Sequence, residues 1–224
     1  MNRFYLPLKL LLLIKFFLVC FVISLIIPAC DQIDQKETKA EKLYKENLNK
    51  QNNLVVLGND QAPIKIKVFS SLTCPHCANF HIKVVPKLKR EYIDSGKIQI
   101  IFIDFPLDEA AFNATKLLHC SGQEKQIALL DIIYETQIKW TSGSNINDIN
   151  NNLKKIVKNL GISSAKFDKC LLDEDISDKI LNRRIEANQK YSINSTPTIV
   201  INEKKLEGSA SFKNIKKKIE KLIK

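Results

Sequence analysis

Residues 69–77 read Phe-Ser-Ser-Leu-Thr-Cys-Pro-His-Cys and place Cys74 and Cys77 three positions apart behind an apolar stretch. Isoleucine or valine alternates with lysine over residues 64–68, and this period of two predicts a β-strand. Apolar side chains then recur at every fourth position over residues 78–92, which predicts a helix. The sequence therefore predicts a strand and a short loop, with Cys74 at the start of the following helix.

The start of a helix favours negative charge. The N–H groups of its first turn have no partners within the helix, and the helix dipole is positive at this end. This position stabilises the thiolate of Cys74, and His76 can add a positive charge or a hydrogen bond. A stabilised thiolate makes the corresponding disulfide a stronger oxidant. We therefore interpret Cys74 as the nucleophile of a redox pair and Cys77 as the thiol that resolves the mixed disulfide.

The composition is that of a globular protein with a basic bias. The chain has 224 residues and a formal net charge of +11 at pH 7. Its lysines are spread over the whole length, and no arginine-rich patch with interleaved aromatic residues occurs. The sequence therefore predicts no nucleic-acid partner.

The N-terminal 30 residues differ from the rest of the chain. Residues 1–30 combine early basic residues with a long apolar run and contain no acidic residue. This pattern is typical of a secretory signal, although Lys15 interrupts the run and leaves an uncleaved membrane anchor as an alternative. Residues 27–30 also resemble the box cleaved before the lipidated cysteine of bacterial lipoproteins, here Cys30. We predict export to the periplasm by residues 1–30, with a membrane tether as the alternative, followed by a polar linker over residues 31–53.

Export determines how the remaining cysteines are interpreted, because disulfides persist outside the cytosol. Beyond the N-terminal region the chain has four cysteines, which allow three pairings. The C-x-x-C spacing favours Cys74 with Cys77, and this leaves Cys120 with Cys170. We expect this second pair to form a structural disulfide, with two separate buried thiols as the alternative.

The pattern beyond the first helix predicts the fold class. Residues 98–103 are nearly all apolar, and strand, helix and strand in this order predict a parallel pair. Helical patterns then occupy residues 105–191, before an apolar strand at residues 198–201. We therefore predict an α/β fold with an inserted all-helical subdomain at residues 105–191, between sheet-forming parts at residues 54–104 and 192–224.

A family resemblance rests on motifs that stand in order over residues 54–224. These are Val68-Phe69-Ser70 leading into Cys74-Pro75-His76-Cys77, then Phe105-Pro106-Leu107, then Ser195-Thr196-Pro197-Thr198. The chain resembles the DsbA-like thiol-disulfide oxidoreductases, which are members of the thioredoxin superfamily with a helical insertion. The resemblance implies a thioredoxin-like fold and an enzyme whose cysteine pair works without another cofactor.

The resemblance also implies roles for residues far from the cysteines. Pro197 matches the family's cis-proline, which faces the redox pair, and Thr196 before it would offer its main chain to a substrate. The chain departs from the family at Val68, where many members carry a buried acid. Proton transfer from Cys77 would then use water or another group.

Our functional hypothesis is a periplasmic oxidase that donates a Cys74–Cys77 disulfide to reduced, unfolded exported proteins. It would act as a monomer, and a quinone-linked membrane partner would reoxidise it. An isomerase or reductase is the alternative within the family, and an exported peptide-binding module without turnover is the alternative outside it. A zinc site is a further alternative, with His81, His119 and Cys120 as additional ligands of the C-x-x-C pair.

Overall fold

The computed structural model describes residues 54–223. The predicted signal at residues 1–30 and the predicted linker at residues 31–53 lie outside the described residues. Between residues 54 and 223, no helix has both the length and the apolar character needed to cross a membrane.

A mixed β-sheet forms the centre of the described part of the chain. Its strands follow the order β1-β3-β2-β4-β5, so β2 lies in the middle. Strands β2 and β3 are parallel, which confirms the predicted pair, and the other neighbours are antiparallel. The strands are β1 (Val55–Leu57), β2 (Ile64–Ser70), β3 (Ile98–Asp104), β4 (Thr198–Ile201) and β5 (Lys204–Lys205).

Helices lie between the strands of this sheet in the chain and after the last of them. Helices α3 to α8 all lie between β3 and β4 in the chain, in the region where the sequence predicts a helical insertion. The helices are α1 (Pro75–Lys83), α2 (Val85–Leu88), α3 (Glu109–Cys120), α4 (Gln126–Glu135), α5 (Gln137–Trp140), α6 (Ile146–Lys158), α7 (Ser164–Leu171), α8 (Glu174–Tyr191) and α9 (Phe212–Ile223).

The helix predicted over residues 78–92 starts earlier and is not continuous. It begins at Pro75, is interrupted at Val84, and ends in a π-helical turn at Lys89–Ile93. Pro75 suits the first turn, where a missing N–H leaves no bond unmade. The interruption has a physical cause, because Pro86 has no N–H to donate to the preceding turn. A single proline therefore divides an otherwise helical pattern into two helices.

The helical insertion shares its core with the sheet. Alternate residues of β2, such as Ile66 and Val68, are at most 1% exposed. They belong to one contiguous apolar cluster together with side chains of the insertion, including Leu117, Ile133 and Trp140. A fully buried side chain of this size contributes about 1.5–3 kcal/mol relative to exposure. Burial therefore couples the inserted helices to the sheet.

Polar and covalent links also connect the insertion to the sheet and to itself. Cys120, at the end of α3, forms a disulfide with the fully buried Cys170 of α7. Asp104, at the end of β3, accepts hydrogen bonds from His119 at 2.7 Å and from Arg183 of α8 at 2.8 Å. Burial acts to raise the pKa of Asp104, but the two basic partners outweigh it and hold the pKa below its ordinary value.

Removal of the Cys120–Cys170 disulfide should destabilise the fold. The bond closes a loop between residues 50 positions apart, and loop entropy predicts a loss of about 4 kcal/mol in the free energy of unfolding. We expect Cys120→Ala/Cys170→Ala to shift the urea midpoint downward. The fluorescence of Trp140, the chain's single tryptophan, reports the transition.

Both proteins in this comparison should carry Cys74→Ala and Cys77→Ala, so that the other cysteine pair does not contribute. Equal midpoints with and without the bond would contradict the expected stabilisation.

Candidate active site

The two cysteines of the C-x-x-C motif lie where β2 ends and α1 begins. Cys74 is the N-cap residue of α1, and its carbonyl accepts the N–H groups of Cys77 at 3.0 Å and Ala78 at 3.1 Å. Both cysteines are free thiols in this structure. Cys74 is 8% exposed and Cys77 is 1% exposed, while Pro75 and His76 between them are exposed. A macromolecule approaching this face therefore reaches Cys74 before Cys77.

The segment before β4 lies against Cys74. The Thr196–Pro197 peptide bond is cis, as the resemblance implies. The thiol of Cys74 donates a hydrogen bond to the carbonyl oxygen of Thr196 at a distance of 3.4 Å. The structure thus brings together Cys74, Cys77, Thr196 and Pro197, which the sequence predicts as one site.

Cys77 has the electrostatic environment of a buried thiol. Burial raises its pKa from 9.0 to about 12, and contacts with the backbone of Ser71 and the side chain of Thr196 offset only part of the rise. A negative charge on Cys74 would raise it further. Desolvation disfavours the thiolate because the low-dielectric interior solvates a charge poorly. Cys77 is therefore a protonated thiol at neutral pH.

The inserted helices hold the loop that leads to Cys74. The side-chain amide of Gln137 donates to the carbonyl oxygens of Leu72 at 2.7 Å and Cys74 at 3.1 Å. On the opposite side, the hydroxyl of Thr73 donates to the carboxylate of Asp108 at 2.6 Å. All three bonds involve residues of the insertion, so the insertion fixes the backbone that presents Cys74.

Sequence reasoning missed Gln137 and Asp108. Asp108 caps α3 by accepting the N–H of Ala111 at 2.7 Å, and an aspartate just before a helical pattern is a readable cap signal. Gln137 carried no comparable signal, because its partners lie more than 60 positions earlier in the chain.

Two open depressions are lined by chain neighbours of Cys74 and of Thr196. One, with a volume of about 370 Å³, is lined by Thr73, Asp108 and residues at the start of α6. The other, with a volume of about 180 Å³, is lined by Ser195, Pro197 and Leu206.

The residues considered as extra zinc ligands are engaged elsewhere. Nε2 of His81 lies 2.6 Å from Asp131, Nε2 of His119 lies 2.7 Å from Asp104, and Cys120 is bonded to Cys170. Over residues 54–223, no group of three or more histidine, cysteine or acidic side chains is placed to hold a metal ion. The structure therefore does not bring the proposed ligand set together.

A C-x-x-C pair at the start of the helix after a central strand, facing a cis-proline, defines the class of thioredoxin-like thiol-disulfide proteins. The comparisons agree with this class. A family model described as Thioredoxin matches residues 50–221.

Individual relatives show which proteins within this class the chain resembles. The crystal structure of Wolbachia pipientis alpha-DsbA1 superposes with a TM-score of 0.69 and 34% identity, covering 76% of this chain and 90% of that one. A putative protein-disulfide oxidoreductase of Rickettsia bellii is 30% identical over 202 residues, which is 89% of this chain and 76% of the relative. A probable disulfide bond formation protein D of Bacillus cereus is 28% identical, covering 86% of this chain and 87% of the relative. The chain belongs to the thioredoxin family and is a DsbA-like protein thiol-disulfide oxidoreductase.

The raised pKa of Cys77 predicts its alkylation profile. In reduced Cys74→Ala, we expect the rate of Cys77 carbamidomethylation to keep rising about tenfold per pH unit above pH 9, because the thiolate is the reactive form and burial, the main cause of the raised pKa, does not depend on Cys74. Quenched samples analysed by mass spectrometry give the rate at each pH.

The same variant unfolded in urea provides the control, and its profile should level off near the ordinary thiol pKa of 9.0. A folded-state profile that levels off at the same pH would show that burial does not control this thiol.

Proposed function

We propose that this protein is an exported oxidase that donates a Cys74–Cys77 disulfide to reduced proteins as they fold in the periplasm. One observation carries the proposal. The more accessible thiol, Cys74, contacts the main chain of Thr196 beside cis-Pro197, while Cys77 is buried behind it. This asymmetry gives each sulfur a separate role in disulfide exchange.

The proposed reaction proceeds through a mixed disulfide. A substrate thiolate attacks Sγ of Cys74, a new S–S bond forms, and the electron pair of the Cys74–Cys77 bond leaves with Cys77, which gains a proton. A second substrate thiolate then attacks the substrate sulfur of the mixed disulfide and releases Cys74 as a thiolate. Two electrons pass from the substrate thiols to the protein, and the substrate gains one disulfide.

The main chain of Thr196 offers a place for the substrate backbone. In the dithiol form the Thr196 carbonyl accepts the thiol of Cys74. The disulfide form has no S–H at Cys74, so this carbonyl becomes free to accept an N–H from an extended peptide. The depressions at Thr73 and Pro197 give room for side chains of the substrate. Recognition through the backbone suits an enzyme that acts on many unfolded proteins.

Two features support an oxidising compartment. The N-terminal residues 1–30 have the pattern of a secretory signal. The Cys120–Cys170 disulfide is of the kind that persists outside the cytosol. The proposed cycle also needs an oxidant for the Cys74–Cys77 dithiol, and we assign this step to a quinone-linked membrane partner.

The proposed role of Cys74 predicts the effect of its substitution. Oxidised wild-type protein should form disulfides in reduced, unfolded ribonuclease, while Cys74→Ser should lose this activity because no mixed disulfide can form. Cys77→Ser should form a mixed disulfide only with oxidised, scrambled ribonuclease, whose disulfide Cys74 can attack, and this adduct should persist on a non-reducing gel because no Cys77 thiol is present to release it.

Cys120→Ala/Cys170→Ala serves as the matched control, since it removes the other cysteine pair and should stay active. Full biological effect of Cys74→Ser in cells would contradict the oxidase and favour a peptide-binding module.

The redox state in cells separates an oxidase from an isomerase or reductase. We expect the Cys74–Cys77 pair to be mostly a disulfide in periplasmic extracts trapped with acid and labelled with a thiol-specific mass tag. A pair held mostly as the dithiol would favour the isomerase or reductase. Recovery of the protein in the cytosolic fraction would contradict export.

A further inference from the structure

A buried histidine lies one helical turn beyond Cys77. His81 is 6% exposed and occupies the position four residues after Cys77 on α1. Its Nε2 lies 2.6 Å from Oδ1 of Asp131, which belongs to α4. Its Nδ1 is buried and has no hydrogen-bond partner among residues 54–223. Burying a ring nitrogen without a hydrogen-bond partner costs free energy, which indicates a functional role for Nδ1.

Helix geometry and a shared neighbour place the ring of His81 near Cys77. Residues four apart lie on one face of a helix, and helical side chains lean towards the preceding turn, which here contains Cys77. The ring of Tyr134 lies against that of His81, with centroids 4.9 Å apart. The hydroxyl of Tyr134 donates to the carbonyl oxygen of Ser71 at 3.5 Å, and the backbone of Ser71 also contacts Cys77. The three side chains form one buried group.

The bond to Asp131 determines which form the neutral ring takes. A carboxylate only accepts, so Nε2 of His81 carries the hydrogen and Nδ1 carries a lone pair. In the cationic ring Nδ1 carries a hydrogen as well. Nδ1 can therefore accept or donate one proton while Asp131 keeps the ring in place.

The exchange reaction needs such a group at Cys77. Thiols of low pKa leave a disulfide faster than thiols of high pKa, and burial raises the pKa of Cys77 to about 12. Its sulfur would be a poor leaving group as a free thiolate, and in the reverse direction it must lose its proton before it can attack. Proton transfer between Cys77 and a nearby base removes both difficulties, because the sulfur of Cys77 then leaves as a thiol and attacks as a thiolate.

We propose that His81 is the proton donor and acceptor for Cys77, with Asp131 as its positioning residue. This inference rests on the proposed function. When the Cys74–Cys77 bond breaks, the proton on Nδ1 of His81 passes through one water to the Cys77 sulfur. When Cys77 attacks a mixed disulfide at Cys74, its proton returns to Nδ1 and the leaving substrate carries the electron pair of the broken bond.

The surroundings of His81 fit a route to solvent. The side chain of Asp131 is 50% exposed, so when Nδ1 takes up the proton of Cys77, the cationic ring can pass its Nε2 proton through Asp131 to water. Within residues 54–223, the titratable side chains in contact with the ring of His81 are Asp131 and Tyr134, both from α4, while β3 contributes the apolar ring of Phe102.

The test measures how fast Cys77 resolves a mixed disulfide between Cys74 and glutathione. Rapid-quench samples analysed by mass spectrometry follow glutathione release at pH 6 to 9. In His81→Phe we expect release to slow about a hundredfold at pH 7, the lower end of general acid–base catalysis. The rate should then rise about tenfold per pH unit, because hydroxide must remove the proton. The wild-type rate should depend on pH less steeply, because a base inside the site takes the proton.

Two further variants guard against a purely structural effect. Asp131→Ala alters a half-exposed side chain and should also slow release, by less than His81→Phe. Asp168→Asn is the matched control, because Asp168 is 59% exposed and pairs with Lys154 elsewhere in the insertion. Its release rate and pH profile should equal those of the wild type. If His81→Phe does not fold, Asp131→Ala decides the outcome.

The outcomes distinguish this inference from the function on which it rests. Wild-type release rates and pH profiles in His81→Phe or, failing its folding, in Asp131→Ala would overturn the role of His81. The oxidase would remain intact in that case, provided that Cys74→Ser is inactive. Alkylation of Cys74 in reduced His81→Phe should proceed at the wild-type rate, since the proposed role concerns Cys77. A parallel loss of Cys74 reactivity would show a general disturbance of the site and would also overturn the role of His81.

Discussion

Antiparallel pairing between β2 and β4 is the constraint on which the site depends. The register places Phe69 opposite Thr198, so the loop after β2 and the loop before β4 emerge at the same edge of the sheet. Cys74 follows the first strand by four residues, and cis-Pro197 immediately precedes the second. Because both strands are buried at the centre of the sheet, neither loop can move away without breaking core contacts. The contact between Cys74 and Thr196 is thus a consequence of sheet register.

The inserted helices add a second constraint, which acts on the backbone before Cys74. Gln137 donates to two carbonyl groups of this loop, and Asp108 accepts the hydroxyl of Thr73. These bonds would have little effect if the insertion were loosely attached. It is firmly attached, because its buried side chains join those of the sheet in one cluster and a disulfide links α3 to α7. The insertion therefore helps to shape the site as well as enlarging the protein.

Much of the fold can be predicted from the sequence, because the patterns that indicate it lie within short stretches of the chain. The alternation over residues 64–68 predicts β2, and the C-x-x-C spacing predicts a cysteine pair at a helix start. Pro86 is a local signal for the break after α1. The prediction that Pro197 is a cis-proline facing the cysteine pair depended on the family resemblance. The contacts of Gln137 and the pairing of His81 with Asp131 could not be predicted, because they depend on how helices far apart in sequence pack together. Local periodicity predicts which residues are buried, but it does not predict which polar groups form hydrogen bonds in the interior.

Burial has two opposed effects on the redox pair, and together they explain the arrangement of the proposed site. It protects Cys77 from attack by a bulky substrate, so exchange begins at Cys74 and stays ordered. The same burial removes Cys77 from water, which would otherwise supply and accept its proton. A site that hides one sulfur therefore needs a buried proton carrier within reach of that sulfur. His81 meets this need without exposing Cys77, because Asp131 connects the other side of its ring to solvent.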